Sequence, residues 1–390
     1  MRVLHLDIDS FYCSAERIKD ETLGGIPFIV CSGSGDEDFD EEVSVEQGVV
    51  LTASYEARAF GVKSAMLIKN ALKLCPHLKM VPPNHSYYRE LSKKLYSLLH
   101  EFSPVVEAFS IDEFFCDISG IDIDPLTYGK KIQKIVFDKL KLPVSVGIAP
   151  TKWIAKLATG KAKPNGICFV KKDKILSFIE NEPIGAFSGI GKKMQEKLSS
   201  RGIETLGDAA RNERIFKSMG EGAYKIYLRL IGKDNEPIAN RPRKSVGASR
   251  TFSPLLDREE LRRRALILAR HVSSYVFKHN LNPKSFSLSL RYEYGKKANH
   301  QITKERLFSD AVFKEEMLNL LEKCDSFKNQ RVVFLSLSAS NFDSKIKATS
   351  SLLDFEDDQK NYHISKTLQS IRDRYGIDSV LYASELKRDK

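Results

Sequence analysis

The 390-residue chain has little cysteine and never pairs it: Cys13, Cys31, Cys75, Cys116, Cys168 and Cys324 lie far apart, with no C-x-x-C and no nearby histidine spacing. That pattern builds no zinc site and reads as the reduced, packed thiols of a cytoplasmic protein. No apolar run reaches the roughly 18 residues of a membrane span. The opening "MRVLHLDIDSFYCSAE" carries acids where a signal peptide has its apolar segment, so neither secretion nor insertion is expected. Internal repeats and low-complexity tracts are also missing. Negative charge falls short of positive, with 51 Asp and Glu against 62 Lys and Arg, a net +11. A polyanion would suit that balance, and composition alone does not separate nucleic acid from an anionic membrane. The excess is concentrated: between Arg241 and Arg306 stand 16 Lys and Arg against 5 Asp and Glu, a difference of 11.

What is present is ordinary globular composition, 42% hydrophobic and 29% charged, long enough for two to four domains. Residues 2 to 9 alternate as a strand, and "DSFYCSAERIKDETL" follows with helical spacing and Ser10 as its cap. "IPFIVCSG" and "GVVLTAS" read as strands around an acidic hairpin loop at 36–46. After three helices come the strand pair "VVEAFSI" and "EFFCDIS", a helix from 127, the strand "PVSVGIA" and the helix "TKWIAKLATGKA". This order predicts a split βαβ sheet covered by helices, with Asp7 brought beside Asp112. Residues 170–235 are helical in pattern, "NRPRKSVG" is a basic linker, and a second α+β unit follows. From about Ile346 regularity is lost and the chain reads as a tail.

Asp7 and Asp9 share one face of their strand, and "FSIDEFFCDIS" sets Asp112 and Glu113 in another apolar run. Crowded carboxylates lose hydration and repel, so they stay ionised only beside cations. A pair of Mg²⁺ ions roughly 3.5–4 Å apart supplies that partner in phosphoryl transfer, through hard oxygen ligands. Taken singly, each acid is more commonly a turn or surface residue paired with Lys or Arg.

Five blocks, "LDIDSFYCSAE", "SYEARAFGVKSAM", "FSIDEFFCDIS", "SVGIAPTKWIAKLATGKAKPNG" and "SGIGKKMQEKLSSRGIETLGD", together resemble the Y-family of translesion DNA polymerases in its bacterial DNA polymerase IV (DinB) type, over roughly residues 1–345. The resemblance implies an α+β multidomain right hand. Its ferredoxin-like palm would take 1–10 and 76–168, small fingers 11–75, and a helical thumb with a helix-hairpin-helix 169–234. A linker at 235–244, an α+β little finger at 245–345 and a tail at 346–390 would complete it. It implies that Asp7, Asp112 and Glu113, with the Ile8 carbonyl, hold two Mg²⁺, Mn²⁺ being able to substitute, while Asp9 is a structural acid. Tyr55, Arg58 and Lys163 would hold the triphosphate of a deoxynucleoside triphosphate. Phe11 would lie at the nucleotide, and Tyr12 would meet its sugar and exclude a 2′-hydroxyl.

Primer–template DNA is the implied macromolecular partner of a monomer. Gly189, Gly191 and Lys192 would approach a phosphate in the hairpin. Arg243, Lys244, Ser245 and Arg250 would contact DNA from the little finger, basic and hydroxyl side chains lining one face of an alternating sheet. Arg262, Arg263 and Arg264 read instead as the solvated face of a helix. Leu352, Leu353 and Phe355 resemble a sliding-clamp peptide, although Ser351 stands where the bacterial pattern has Gln and Asp354 interrupts it. Synthesis would be of low fidelity, weakly processive and without a proofreading exonuclease. The rival readings are a nucleotide cyclase-like palm enzyme, which needs no hairpin or basic domain, and a non-catalytic DNA-binding factor, which needs no carboxylate cluster.

Overall fold

The computed structural model describes residues 2–32, 39, 48–343 and 353–387, so the acidic 36–46 loop, Phe39 apart, and Leu352 lie outside the described residues. The chain divides into two compact units, Met1–Arg241 and Pro242–Lys390.

The first unit is built on a five-stranded sheet ordered Val106–Ala108, Glu113–Asp117, Val3–Ile8, Val144–Ala149 and Ile167–Phe169. Val3–Ile8 is central and antiparallel to both neighbours, and all six of its residues are buried. Its alternate side chains therefore serve two cores. Leu4, Leu6 and Ile8 pack with the helices His85–Leu99 and Pro125–Leu140 on one face. Val3, with Phe115, packs on the other face against Trp153, Ile154 and Leu157 of helix Lys152–Ala162 and against the helices of 175–230. A smaller sheet orders Val50–Ala53, Phe28–Cys31 and Lys79–Val81 around its own core of Ile29, Ala53, Val62 and Ile68. The last of these strands has exposed or half-buried side chains and no apolar alternation, which is why the sequence pattern did not reveal it. It pairs in parallel with Phe28–Cys31, so residues 79–81 belong to the small sheet rather than to the large one.

Ser10 does occupy the N-cap of helix Phe11–Lys19, but its side chain does not cap it. The hydroxyl donates instead to the Ala53 carbonyl at 2.7 Å and ties the helix start to the small sheet.

In the second unit four antiparallel strands are ordered Lys297–Thr303, Pro283–Tyr292, Val332–Phe342 and Ser245–Leu255. Phe286, Leu288, Leu290, Leu335 and Leu337 are buried beneath helices Arg258–Lys278 and Asp310–Cys324. The opposite parity gives a hydroxyl-lined face in which Ser285, Ser287 and Ser289 stand across from Ser340, Ser338 and Ser336. The edge strand Lys297–Thr303 has only Ala298 and Ile302 half-buried on its core-facing side, with the exposed His300 between them, and so carries a weak period-two signal.

Two expectations about this unit are corrected. Arg263 and Arg264 are 8% and 4% exposed rather than solvated, and both pair with Glu260, at 2.7 and 2.8 Å. Their helix is covered on that side by the chain end, where the Glu385 carbonyl accepts from Arg263 at 3.3 Å. The supposed tail is in turn a 21-residue helix, Phe355–Tyr375, followed by two short 3-10 turns. The side chains this helix buries are Asp358, Ser365, Gln369 and Arg372. Asp358 accepts from Arg306 at 2.7 Å, Ser365 takes the Asp310 N–H at 2.9 Å, and Arg372 reaches Asp310 at 3.3 Å. Glu385 pairs with Arg270 at 2.6 Å and Lys314 at 2.5 Å. A helix docked by polar atoms shows no apolar stripe to read. Much of the basic excess counted between Arg241 and Arg306 is thus internal counter-charge: Arg258, Arg262, Arg270, Lys284, Lys304 and Arg306 all pair with acids between Asp325 and Glu385 or on the helix Asp310–Cys324 and its surroundings.

Removing one partner of a buried ion pair leaves an uncompensated charge. Glu385→Ala, which leaves Lys314 with the more distant Asp310 at 3.9 Å and Arg270 with Asp378 at 2.5 Å, is expected to lower the stability of the second unit by about 3 kcal/mol, read as a fall in its urea unfolding midpoint; an unchanged midpoint would mean that the chain end is not held this way.

Candidate active site

Asp7 lies near the end of the central strand, directly opposite Glu113 on one neighbour and Ser145 on the other. The register partner is Glu113, and Asp112, the residue before it, lies beside Asp7 as the element order predicts, near enough for its charge to act on that carboxyl. Asp112 occupies the turn before its strand, where its carbonyl accepts from the Ile8 N–H at 3.0 Å and its carboxylate from the Ser110 hydroxyl at 2.5 Å. Among the described residues no three His, Cys, Asp or Glu side chains converge as a ready-made cage.

Each of the two facing carboxylates has a lysine. Lys163, just past the end of helix Lys152–Ala162, reaches Asp7 at 2.5 Å, and Lys156 from within that helix contacts Glu113. These lysines do not satisfy the cluster. Burial pushes the Asp7 carboxyl up to about 7; Lys163 pulls it back, and Glu113 and Asp112 add to the rise. A site that still raises proton affinity after taking up a lysine is short of positive charge. Its donors are all oxygen, the type a hard divalent cation takes, so the residues fit a metal of that kind. Beneath Glu113, His5 donates or accepts at Thr159 Oγ1, 2.9 Å away, and faces Glu113 with Nε2 at 3.8 Å. Burial first, then Lys156, Lys163 and Lys152, keep His5 neutral.

Asp9 has a different environment from Asp7 although they share a strand direction. It is 1% exposed and accepts from the Ser145 hydroxyl at 2.9 Å, the Asn165 N–H at 2.7 Å and the Tyr55 hydroxyl at 3.3 Å. It therefore ties the loop carrying Lys163 and the helix carrying Tyr55 to the sheet. Ser54 caps that short helix by accepting from the Ala57 N–H at 3.2 Å. Arg58 lies over the Tyr55 ring at 4.9 Å, as the spacing of three predicts, and donates to the Ala53 carbonyl at 3.1 Å. Phe11 is buried in the core, whereas Tyr12 is half-buried and stacked on Tyr88 with centroids 4.3 Å apart. The stack and the edge of His85, 5.9 Å away, fix the Tyr12 ring.

Gly189 has φ +102, a conformation only glycine adopts freely, and Gly191 precedes helix Lys192–Ser199 as its N-cap. In the second unit the four expected DNA contacts do not share a face. Ser245 and Arg250 have opposite parity in an unbroken register, Ser245 opposite Ser340 and Arg250 opposite the buried Leu335. Arg243 rests over Tyr275 at 4.9 Å, and Lys244 precedes the strand. Leu353 is 95% exposed and Phe355 40%. Sequence reasoning missed Lys156, His5, Ser145 and Asn165. Ser145, Lys156 and Asn165 all lie inside a block already singled out, and of these Lys156 also carries a periodic signal, sitting four residues after Lys152 on one helical face.

Comparison with known proteins bears on this geometry. Family models match over residues 6–160 (impB/mucB/samB family) and 243–352 (impB/mucB/samB family C-terminal domain). A relative called DNA polymerase IV from Alkaliphilus oremlandii is 31% identical over 397 residues, 97% of each chain. The DNA polymerase IV of Bacillus velezensis is 32% identical over 407 residues, covering 100% of this chain and 94% of its own. Among solved structures, the Y-family DNA polymerase chimera Dbh-Dpo4(243-245)-Dbh is similar with a TM-score of 0.76 at 26% identity, across 88% of this chain and 99% of that one. The chain belongs to the impB/mucB/samB family, that is, to the Y-family DNA polymerases of the DNA polymerase IV (DinB) type. It is a template-directed DNA polymerase of the translesion class, dependent on a divalent metal. Among the described residues no helix is long and apolar enough to cross a membrane.

Hydrogen bonds to a buried charge contribute more than neutral ones, and their loss strands the donors. Asp9→Ala is expected to cost the first unit about 3 kcal/mol in urea unfolding and to strip the Asn165 amide of hydrogen-exchange protection; retained protection would show that the loop is held by something else.

Proposed function

We propose that Asp7, Asp112, Glu113 and the Ile8 carbonyl hold two Mg²⁺ ions, with Mn²⁺ able to substitute, at the centre of the first unit's large sheet. Bound there, the ions supply activation of the attacking oxygen and neutralisation of the leaving one. The observation that carries this reading is the register of Asp7 against Glu113, where burial first and then the Glu113 and Asp112 charges push the Asp7 carboxyl up to about 7. The primer 3′-oxygen attacks the α-phosphorus of a deoxynucleoside triphosphate, the bond to the bridging oxygen breaks, and pyrophosphate leaves. Tyr55, Arg58 and Lys163 hold the triphosphate, and Asp9 positions two of the three through its hydrogen bonds. Phe11 contributes main-chain N–H at the start of its helix, its ring being buried.

The large sheet and the helices that cover it act as palm, the small sheet as fingers, and the helices of 175–230 as thumb. Gly189, Gly191 and Lys192 approach the phosphates of the duplex without regard to sequence. In the little finger the hydroxyl face, with Ser245 at its edge, lies against DNA, while Lys244 and Arg243 serve from the strand start. Arg250 acts from the other face or not at all. The exposure of Leu353 and Phe355 suits a clamp-binding segment. Synthesis is distributive and tolerant of damaged templates.

Primer extension on an undamaged template with Mg²⁺ and four deoxynucleotides tests the core of this reading. The native chain is expected to extend, and Asp112→Asn/Glu113→Gln to lose extension while still binding primer–template; a native chain that binds but does not extend would overturn it. The fixed ring of Tyr12 bears on sugar choice: Tyr12→Ala is expected to incorporate ribonucleotides at least about tenfold more readily, from a contact of roughly 1.4 kcal/mol, and unchanged discrimination would remove Tyr12 from that role.

A further inference from the structure

Asp7 and Glu113 each hold a lysine of their own. Lys163 on Asp7 and Lys156 on Glu113 have side chains 30% and 21% exposed. Both line a cleft of about 500 Å³, bounded by Asp7 and Glu113 on one side and by Gly185, Ala186, Phe187 and Ser188 on the other. That second wall runs directly into the Gly189–Gly191 hairpin. Lys163 moves from Asp7 to the triphosphate in the reaction proposed above. Lys156 has the same relation to the other carboxylate.

A Glu113 oxygen that binds a divalent cation does not also keep an ammonium, because the two positive charges repel at contact distance. Lys156 then has to leave Glu113 without leaving the cleft, since its helix fixes its Cα. One flank of its route is apolar, the Phe109 ring at 5.1 Å. The other acid of the cleft, Glu182, already pairs with Lys161 at 2.7 Å. The anion that Lys156 meets must therefore arrive with the substrate. On the hairpin side of the cleft that substrate is the primer strand rather than the nucleotide, whose phosphates gather at Lys163, Tyr55 and Arg58.

We propose that Lys156 is a primer-binding residue: it neutralises Glu113 until a divalent cation takes that carboxylate, and then engages the 3′-terminal phosphodiester of the primer. The assignment rests on Glu113 as a metal ligand, and the experiment separates the two.

Mn²⁺ binding is measured on the full chain without DNA or nucleotide, by the electron paramagnetic resonance of free Mn²⁺, for the native protein and for Glu113→Gln, Lys156→Met and Lys156→Arg. Glu113→Gln is expected to weaken binding. Lys156→Met is expected to tighten it about twofold to fivefold, the worth of a partly exposed ion pair, and Lys156→Arg to stay near native. Tightened binding also shows that Lys156→Met is folded. Single-turnover insertion is then compared on primers with a phosphodiester or a neutral methylphosphonate at the last linkage. The native chain should lose about tenfold on the neutral linkage, as for one charge-assisted contact. Lys156→Met should already be about tenfold slower on the phosphodiester and lose nothing further on the methylphosphonate. Unaltered Mn²⁺ affinity in Lys156→Met beside weakened Glu113→Gln would overturn the role of the lysine and leave the metal reading standing. No effect of Glu113→Gln would overturn the metal reading itself. Additive losses from Lys156→Met and the neutral linkage would overturn the phosphate contact.

Discussion

The repulsion between two carboxylates on adjacent strands organises the first unit. Asp7 and Glu113 face one another because the antiparallel register of the central strand leaves them no alternative. Largely withdrawn from water at a cleft wall on strands whose other residues form two hydrophobic cores, they draw cations beside them. Helix Lys152–Ala162 brings Lys156 to one, and the residue just past its end brings Lys163 to the other. The same helix closes one core with Trp153, Ile154 and Leu157. Packing and charge compensation are thus two uses of one element, and a change in the seat of that helix would be felt as a change in the charge of the site.

Asp9 shows how local environment divides the labour between similar residues. Two positions beyond Asp7, it is satisfied by Ser145, Asn165 and Tyr55 rather than by a lysine. A carboxylate filled by neutral donors has little call for a metal and acts as a peg between the sheet, the Lys163 loop and the Tyr55 helix. Tyr55 and the loop of Lys163 thereby inherit their positions from a buried hydrogen-bond network on the sheet.

The second unit uses charge in another way. Many of its arginines answer acids of the same unit, Arg270 and Arg306 those of the last helices of the chain, and the face of its sheet away from helices Arg258–Lys278 and Asp310–Cys324 is lined by serine. The alternating sequence had suggested one face shared by basic and hydroxyl side chains. The structure offers hydroxyl groups and main chain over much of that face instead, with positive charge toward the strand ends, as at Lys244 and Lys297.

How much of this could be read from the chain depended on the range of the interaction. Alternation in "VLHLDI", helical spacing from Tyr55 and the glycines of "SGIGKK" are local, and they fixed the strand, the pairing of Tyr55 with Arg58 and the hairpin. Ordered blocks of residue types identified the polymerase family, because five such blocks in one order are far more specific than any single acid. Register, by contrast, set Glu113 rather than Asp112 opposite Asp7. The burial of Arg263 and Arg264 depends on the chain end, whose Glu385 carbonyl meets Arg263 across 122 positions, and the docking of helix Phe355–Tyr375 depends on Arg306 and Asp310, 52 to 62 positions from their partners. Charge pairs leave no periodic trace in sequence, since either partner alone looks like a solvated surface residue. Only the tertiary structure, by excluding water from both partners at once, decides which charges are internal and which remain to meet a substrate.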